Sequence, residues 1–175
     1  MGWSETFIAT LKANDVRFVS YVPDNVLTPL LKGVTSDNYF ISVNATREDE
    51  AIGMVAGAWM AGMKGVVMMQ TSGFAVAPNA LASLLVPYQI PAILVVSERG
   101  VLGEFNIGQH TVSRLLRPTL DTLGIVHHRL DDEARLGFVV DSSIKQAITT
   151  QAPVAFILSP LLTGGNPAAH SNLKA

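Results

Sequence analysis

The sequence predicts an α/β protein with three layers, α/β/α, built on a six-stranded, mainly parallel sheet. Short apolar runs of strand length alternate along the chain with segments whose apolar residues recur at helical spacing. The strand-like runs are apolar throughout, as in Ala92-Ile93-Leu94-Val95-Val96. A strand without alternation is buried on both faces, which is the condition inside a parallel sheet covered by helices on both sides. Composition agrees: 49% of residues are hydrophobic and only 15% charged, enough for a large core but sparse for a solvated surface. Part of that surface is therefore expected to lie against another chain.

The elements follow in order. Residues 4–14 read as a helix, with Phe7, Ile8 and Leu11 on one face and Ser4 as its cap. A strand at 17–22 stops at Pro23-Asp24, and a short helix spans 25–33. A second strand covers 39–43, a helix 48–63, and a third strand 65–70. A helix at 76–86, a fourth strand at 91–97 and a polar loop at 98–109 come next. A helix then runs to about residue 123, followed by a fifth strand at 124–129. A long helix at 131–150, capped by Asp131 or Asp132, leads to a sixth strand at 153–158. From Pro160 the chain is rich in Gly, Pro, Asn and Ala. One domain over residues 1–160 with a flexible tail at 161–175 is expected.

Several function classes are disfavoured. Lys and Arg total 12 against 14 Asp and Glu, so no basic excess suggests a nucleic-acid partner. The absence of cysteine excludes disulfides, thiolate metal sites and a thiol nucleophile. The first residues show no secretory pattern, and no run approaches the ~20 apolar residues of a membrane helix. A cytoplasmic protein is expected.

In a parallel sheet, ligands sit beyond the carboxyl ends of the strands. The loops after Val22, Val43, Gln70, Ser97, Arg129 and Leu158 are therefore the places to look. At the second strand's end stands Arg47-Glu48-Asp49-Glu50, where the helix macrodipole favours acids. That accounts for one or two of the three. The helix that follows carries Gly53, Ala56, Gly57, Ala58 and Ala61. Glycine inside a helix costs about 1 kcal/mol relative to alanine. A partner helix or a cofactor packing closely on this helix would explain them. After the third strand, Gln70-Thr71-Ser72-Gly73-Phe74 offers a tight turn, yet neither a P-loop nor a dinucleotide fingerprint. After the fourth, Glu98, Arg99, Glu104, Asn106, Gln109 and His110 mark a polar loop at the binding edge. His127-His128 face opposite sides of a strand and read as structural rather than as a metal pair.

The stretch from Glu48 to Gly62 resembles the pyrimidine-binding (PYR) domain of thiamine-diphosphate enzymes, in which a glutamate is followed nine residues later by a glycine, here Gly57. Glu48-Asp49-Glu50-Ala51-Ile52-Gly53, Ala56-Gly57-Ala58, Thr71-Ser72-Gly73 with Asn79-Ala80-Leu81, and Arg99-Gly100 are most similar to the alpha subunits of two-subunit sulfopyruvate decarboxylases and to phosphonopyruvate decarboxylase. The resemblance covers residues 4–158. It implies that Glu48 exchanges a proton with the cofactor's aminopyrimidine, and that Pro23, Thr71, Ser72 and Gly73 help to bind thiamine diphosphate. Pyruvate decarboxylases carry His-His-Thr where this chain has Gln109-His110-Thr111, so Gln109 and His110 are the matching catalytic candidates. Arg99, with Asn106, is the candidate for the substrate's anionic tail, because a guanidinium suits a three-oxygen anion. The family's Gly-Asp-Gly metal motif is missing. No metal ligand is therefore expected in this chain. Mg2+ and the diphosphate fall to a separate diphosphate-binding (PP-domain) subunit within a homo- or hetero-oligomer.

The expected function is thus the pyrimidine-binding subunit of a thiamine-diphosphate-dependent decarboxylase of small 2-oxo acids. The alternatives are half of an acetolactate-synthase-like carboligase and a non-catalytic flavodoxin-like binding module. The second would leave Glu48 and the glycine-rich helix unexplained.

Overall fold

A six-stranded sheet of order β2-β1-β3-β4-β6-β5 runs through the molecule, and all five pairings are parallel. The computed structural model describes residues 2–166. The first half comprises α1 (Trp3–Ala13), β1 (Val16–Tyr21), α2 (Thr28–Ser36), β2 (Ile41–Asn44), α3 (Glu48–Met60) and β3 (Lys64–Gln70). Then come short helices α4 (Thr71–Phe74) and α5 (Pro78–Ala80), a π-helical turn (Leu81–Leu85), β4 (Ile93–Ser97) and α6 (Ile107–Thr122). β5 (Val126–Leu130), α7 (Glu133–Thr150), β6 (Val154–Leu158) and the one-turn helix α8 (Pro160–Thr163) complete the order.

Alternate strand residues feed two separate cores, because successive side chains point to opposite faces. Val66 and Met68 of β3 pack with Phe7, Leu30 and Val140, from α1, α2 and α7. Val67 and Met69 pack with Ile52, Phe74, Leu81 and Leu116, on the side of α3 and α6. The central strands β4 and β6 are buried at every position, which is what their unbroken apolar runs require. Their carboxyl ends stand in register: Gln70 faces Ser97, Ser97 faces Leu158, and Leu158 faces Leu130. The chain leaves β1 toward β2 on one side and returns to β3 on the other. The sheet's topological switch point therefore lies between the ends of β1 and β3, where ligands bind in such folds.

Local chemistry shifts several boundaries from those read in the sequence. Gly2, not Ser4, precedes the first helical residue, and its N–H donates to Glu5 at 3.0 Å. Asp24 accepts from Val26 N–H at 3.0 Å in a tight turn, so α2 begins only at Thr28, with Pro29 in its first turn. Helix α3 ends earlier than expected. Gly62 takes φ +84°, and the N–H groups of Gly62 and Met63 close on the carbonyls of Trp59 and Ala58, a Schellman stop. The helix expected at 76–86 is instead three pieces, starting at Thr71, broken before Pro78 and widening to a π turn. The polar loop ends at Asn106, whose side chain accepts from Gly108 N–H at 2.9 Å and caps α6. That places Gln109 and His110 in the helix rather than in the loop. Asp132, one of the two acids proposed, caps α7. Pro160–Thr163 form a turn of helix at the start of the expected tail, and residues 167–175 lie outside those described. No helix among the described residues is long and apolar enough to cross a membrane.

The two histidines do face opposite sides. His127 Nδ1 lies 3.2 Å from the Ile125 carbonyl. His128 stacks on Phe156, with ring centroids 6.4 Å apart, and its Nε2 is buried without a hydrogen bond among the described residues. Burial, reinforced by the neighbouring His127, holds His128 below the ordinary histidine pKa of 6.5. The folded chain thus takes up this proton less readily than the unfolded chain. Stability is complete above pH 6.5 and falls as the pH drops below that value. Thermal unfolding at stepped pH should show a midpoint that declines on acidification. His128→Gln should flatten the decline, and an unchanged slope would show that other groups dominate.

Candidate functional site

The carboxyl edge of the sheet is held by a buried polar junction. Asp24, just past β1, accepts from the Ser97 hydroxyl at 2.8 Å and lies 3.4 Å from a guanidinium nitrogen of Arg99. Thr71, just past β3, donates to the Ser97 carbonyl at 2.9 Å and accepts from Arg99 N–H at 3.0 Å. Glu98 N–H donates to the Leu158 carbonyl, and its buried carboxylate receives Arg117 and Arg129. The ends of β1, β3, β4, β5 and β6 are thereby tied together. Asp24, Thr71, Ser97, Glu98 and Arg99 each have a partner here, which low-dielectric surroundings demand.

Arg99 is only 8% exposed. Its Nε and Nη2 engage Glu104 at 2.7 and 3.1 Å, while Nη1 faces Asp24. Burial acts to raise the Glu104 pKa. The Arg99 guanidinium and the N–H groups of Asn106 and Gly100 outweigh it and hold the pKa at about 2. One cation against two carboxylates leaves this cluster with a net negative charge. The anion-binding role expected for Arg99 is therefore not available from a free guanidinium; an anion would have to displace Glu104 or Asp24. Gly100, at φ +77°, packs so closely on the Gln109 carbonyl that a side chain there would overlap it.

The three acids at the start of α3 separate in role. Asp49 pairs with Arg47 at 3.0 Å, which lowers its pKa. Glu50 reaches back to Thr46 N–H at 2.8 Å. Both are accounted for by capping and local pairing at a helix N-terminus. Glu48 is different. It is half-buried, and no hydrogen bond engages its carboxylate among the described residues. Its side chain lies against Gly73, in α4, across the switch point.

A cleft of about 580 Å³ opens beside this edge, lined by Tyr21, Pro23, Asp24, Asn25, Gln70, Arg99, Asn106 and Gln109, and by Thr28 and Lys32 of α2. Gln109 donates to Gln70 at 3.2 Å, and its own Oε1 is buried with no donor. An orphaned acceptor at a cleft wall is suited to a ligand's N–H or O–H.

The structure thus gathers Pro23, Arg99, Asn106 and Gln109 around one cleft, whereas Glu48, which rests on Gly73, and Ser72 do not line it. It does not bring all the candidates together. His110 is exposed and does not line the cleft. Thr71 is wholly buried, its hydroxyl spent on the sheet edge, so its side chain faces no ligand. Asn106 uses its side-chain oxygen as a helix cap. Asp24 and Gln70 were not singled out from the sequence. Asp24 reads there as part of a turn, and only its position beyond the first strand of a parallel sheet marks it as a cleft residue. Gly53 and Gly57 face open space, and nothing among the described residues packs on them. No group of three or more His, Asp or Glu converges as a metal site among the described residues.

Fold and site together define an α/β protein whose ligand edge is the carboxyl end of a parallel sheet, with one uncommitted carboxylate at the switch point. No family model matches the chain. Sulfopyruvate decarboxylase subunit alpha of Methanocaldococcus jannaschii is 41% identical over 115 residues, 66% of this chain and 68% of that protein. The subunit alpha of Methanothermobacter thermautotrophicus is 36% identical over 159 residues, 89% of this chain and 94% of that protein. The chain belongs to the family of sulfopyruvate decarboxylase alpha subunits. Phosphonopyruvate decarboxylase of Streptomyces viridochromogenes is 40% identical over 103 residues, but these span only 26% of that longer protein. The solved 2-oxoglutarate:ferredoxin oxidoreductase of Magnetococcus marinus shares the fold, with TM-score 0.73 at 20% identity, covering 93% of this chain and 29% of its own.

The Arg99–Glu104 pair generates a prediction. The Glu104 pKa is depressed from 4.5 to about 2, so its contribution is complete above pH 4.5 and is lost as the pH falls toward about 2. Glu104→Gln should cost roughly 3–5 kcal/mol at neutral pH, since it breaks a buried pair. It should also remove that part of the acid sensitivity in denaturant titrations. A loss below ~1 kcal/mol would mean that the pair is solvated in solution.

Proposed function

We propose that this chain is the pyrimidine-binding subunit of a two-subunit, thiamine-diphosphate-dependent 2-oxo-acid decarboxylase acting on a sulfopyruvate- or phosphonopyruvate-like substrate. The observation that carries this reading is Glu48. It is the one first-turn acid of α3 not consumed by capping or pairing, and it stands at the switch point of a parallel sheet. The residues present fit the cofactor's pyrimidine end: the half-buried Glu48 carboxylate and, at the cleft wall, the buried Oε1 of Gln109, which has no donor among the described residues. Thiamine diphosphate, when bound, supplies a nucleophilic carbon and accepts the electron pair released as carbon dioxide leaves.

Glu48 holds a proton in exchange with the pyrimidine nitrogen N1′, and a rigid strand-to-helix junction fixes where it does so. Gln109, oriented by Gln70, accepts a hydrogen bond from cofactor or substrate. Pro23, with Ser72, borders the pyrimidine, and Gly73 supports it through the Glu48 side chain that rests on it. Arg99 and Asn106 shape the cleft that receives the 2-oxo acid, and Arg99 acts through its pairing with Asp24 and Glu104. His110, on the exposed first turn of α6, faces the partner and serves the later protonation. Mg2+ and the diphosphate are held by a PP-domain subunit. The relatives named subunit alpha support a partner of this kind. We place the assembly in the cytoplasm, with residues 1–160 as its pyrimidine-binding unit.

The outer face of α3 supports the placement of a neighbouring subunit. Gly53 and Gly57 leave it smooth, and Met60 is 80% exposed. Gly57→Leu should therefore weaken assembly in sedimentation while leaving the thermal midpoint of the isolated chain nearly unchanged. A variant that assembles normally removes α3 from the interface.

Glu48→Gln, in the reconstituted two-subunit enzyme, tests the central claim. Glutamine keeps the shape but cannot exchange a proton. Turnover should fall by roughly 10²–10⁴, and deuterium exchange at the thiazolium carbon should slow in parallel. Asp49→Asn and Glu50→Gln should change only stability, each by less than ~1 kcal/mol. Normal exchange in Glu48→Gln would remove Glu48 from the mechanism, as would turnover by this chain without its partner from the split-subunit reading.

A further inference from the structure

We infer that Gly73 is a positioning residue: its missing side chain sets where the Glu48 carboxylate stands. This rests on the reading of Glu48 as the proton-exchanging acid.

Gly73 is buried inside α4 and has no positive φ, so its backbone does not demand glycine. Local energetics oppose it, since glycine within a helix is worse than alanine by about 1 kcal/mol. The reason must be steric, and the structure supplies one. A Cβ on Gly73 would overlap the Glu48 carboxyl group, and would approach its Cγ to 2.7 Å. Those three Glu48 atoms are the nearest neighbours of that position. Asp49 and Glu50 are fixed by hydrogen bonds. Glu48 has none among the described residues, so packing against the flat face of Gly73 does for it what bonds do for the other two.

The consequence for a substitution is specific. The overlapping atoms, Cγ included, all lie beyond the Cβ of a flexible side chain, so turning its first torsion moves them together. Gly73→Ala can therefore be relieved by rotation of Glu48, at little cost in folding, but the carboxylate is then misplaced. Misplacement on the scale of 1 Å can cost about 10²-fold in rate.

The test is a double-mutant cycle between Gly73→Ala and Glu48, with and without the partner subunit. In the isolated chain, 13C-carboxyl labelling of glutamate and a crystal structure of Gly73→Ala should show the Glu48 carboxyl displaced, with a thermal midpoint close to the parent's. In the reconstituted enzyme, kcat should fall about 10²-fold with KM little changed. In a Glu48→Gln background, Gly73→Ala should cost almost nothing more. The shorter Glu48→Asp should suffer less from the added methyl than Glu48 does. An unmoved carboxyl, or an equal loss from Gly73→Ala in both backgrounds, overturns the inference. If Gly73→Ala fails to fold, Glu48→Ala in the same chain should restore folding; if it does not, Gly73 serves another purpose. Should Glu48→Gln itself leave proton exchange untouched, the functional reading fails, while the displaced carboxyl in the isolated chain still decides the steric claim.

Discussion

Asp24 sits at the point on which the carboxyl edge of this sheet depends. A carboxylate in low-dielectric surroundings must be met by donors. Here they come from the next turn of its own chain, from the Ser97 hydroxyl and from the Arg99 guanidinium. Satisfying Asp24 therefore brings the end of β4 to the end of β1, with β3 between them. Thr71 reinforces the same junction by bonding Ser97 and Arg99 through one hydroxyl. With Arg99 held, Glu104 is drawn in. With Glu104 held, Asn106 and the start of α6 are placed, and Gln109 arrives at the cleft wall.

This chain of constraints explains why the site can be both rigid and open. The central strands β3, β4 and β6 are buried at almost every position, so the platform cannot flex without disrupting two cores. Above the platform, the structural charges are paired. Arg99, Glu104, Glu98 and Asp24 are all committed to one another or to arginines from β5 and α6. Among the described residues, the groups at this edge without a hydrogen bond are few: the Glu48 carboxylate and the Gln109 side-chain oxygen. An unmet acceptor and an unpaired acid cost stability, and they are positioned where a ligand can meet them.

The glycines of α3 and α4 illustrate two different reasons for the same residue. Gly73 is small because Glu48 occupies the space of its side chain. Gly53 and Gly57, by contrast, meet nothing among the described residues. Sequence reasoning treated the α3 glycines as evidence of close packing, and it could not say by what. The geometry shows that both lie on the exposed face of α3 with open space above them.

The sequence by itself determined the α/β class, the six strands, the parallel sheet and the acid-rich junction after β2. All of these follow from local periodicity and from the physics of a strand meeting a helix. It also carried the family, because the Glu48, Ser72-Gly73 and Arg99-Gly100 signatures are short runs readable in place. Only the tertiary structure decided which charges are free. Arg99 and Glu48 look equally available in the sequence, yet Arg99 is engaged twice by Glu104 and also faces Asp24, 75 residues away, while Glu48, beside Gly73, has no hydrogen bond among the described residues. Its sheet order, β2-β1-β3-β4-β6-β5, makes neighbours of these distant residues. The reason is that charge neutralisation is a property of burial and of who stands across the sheet. Neither is encoded in the spacing of residues along one strand or helix.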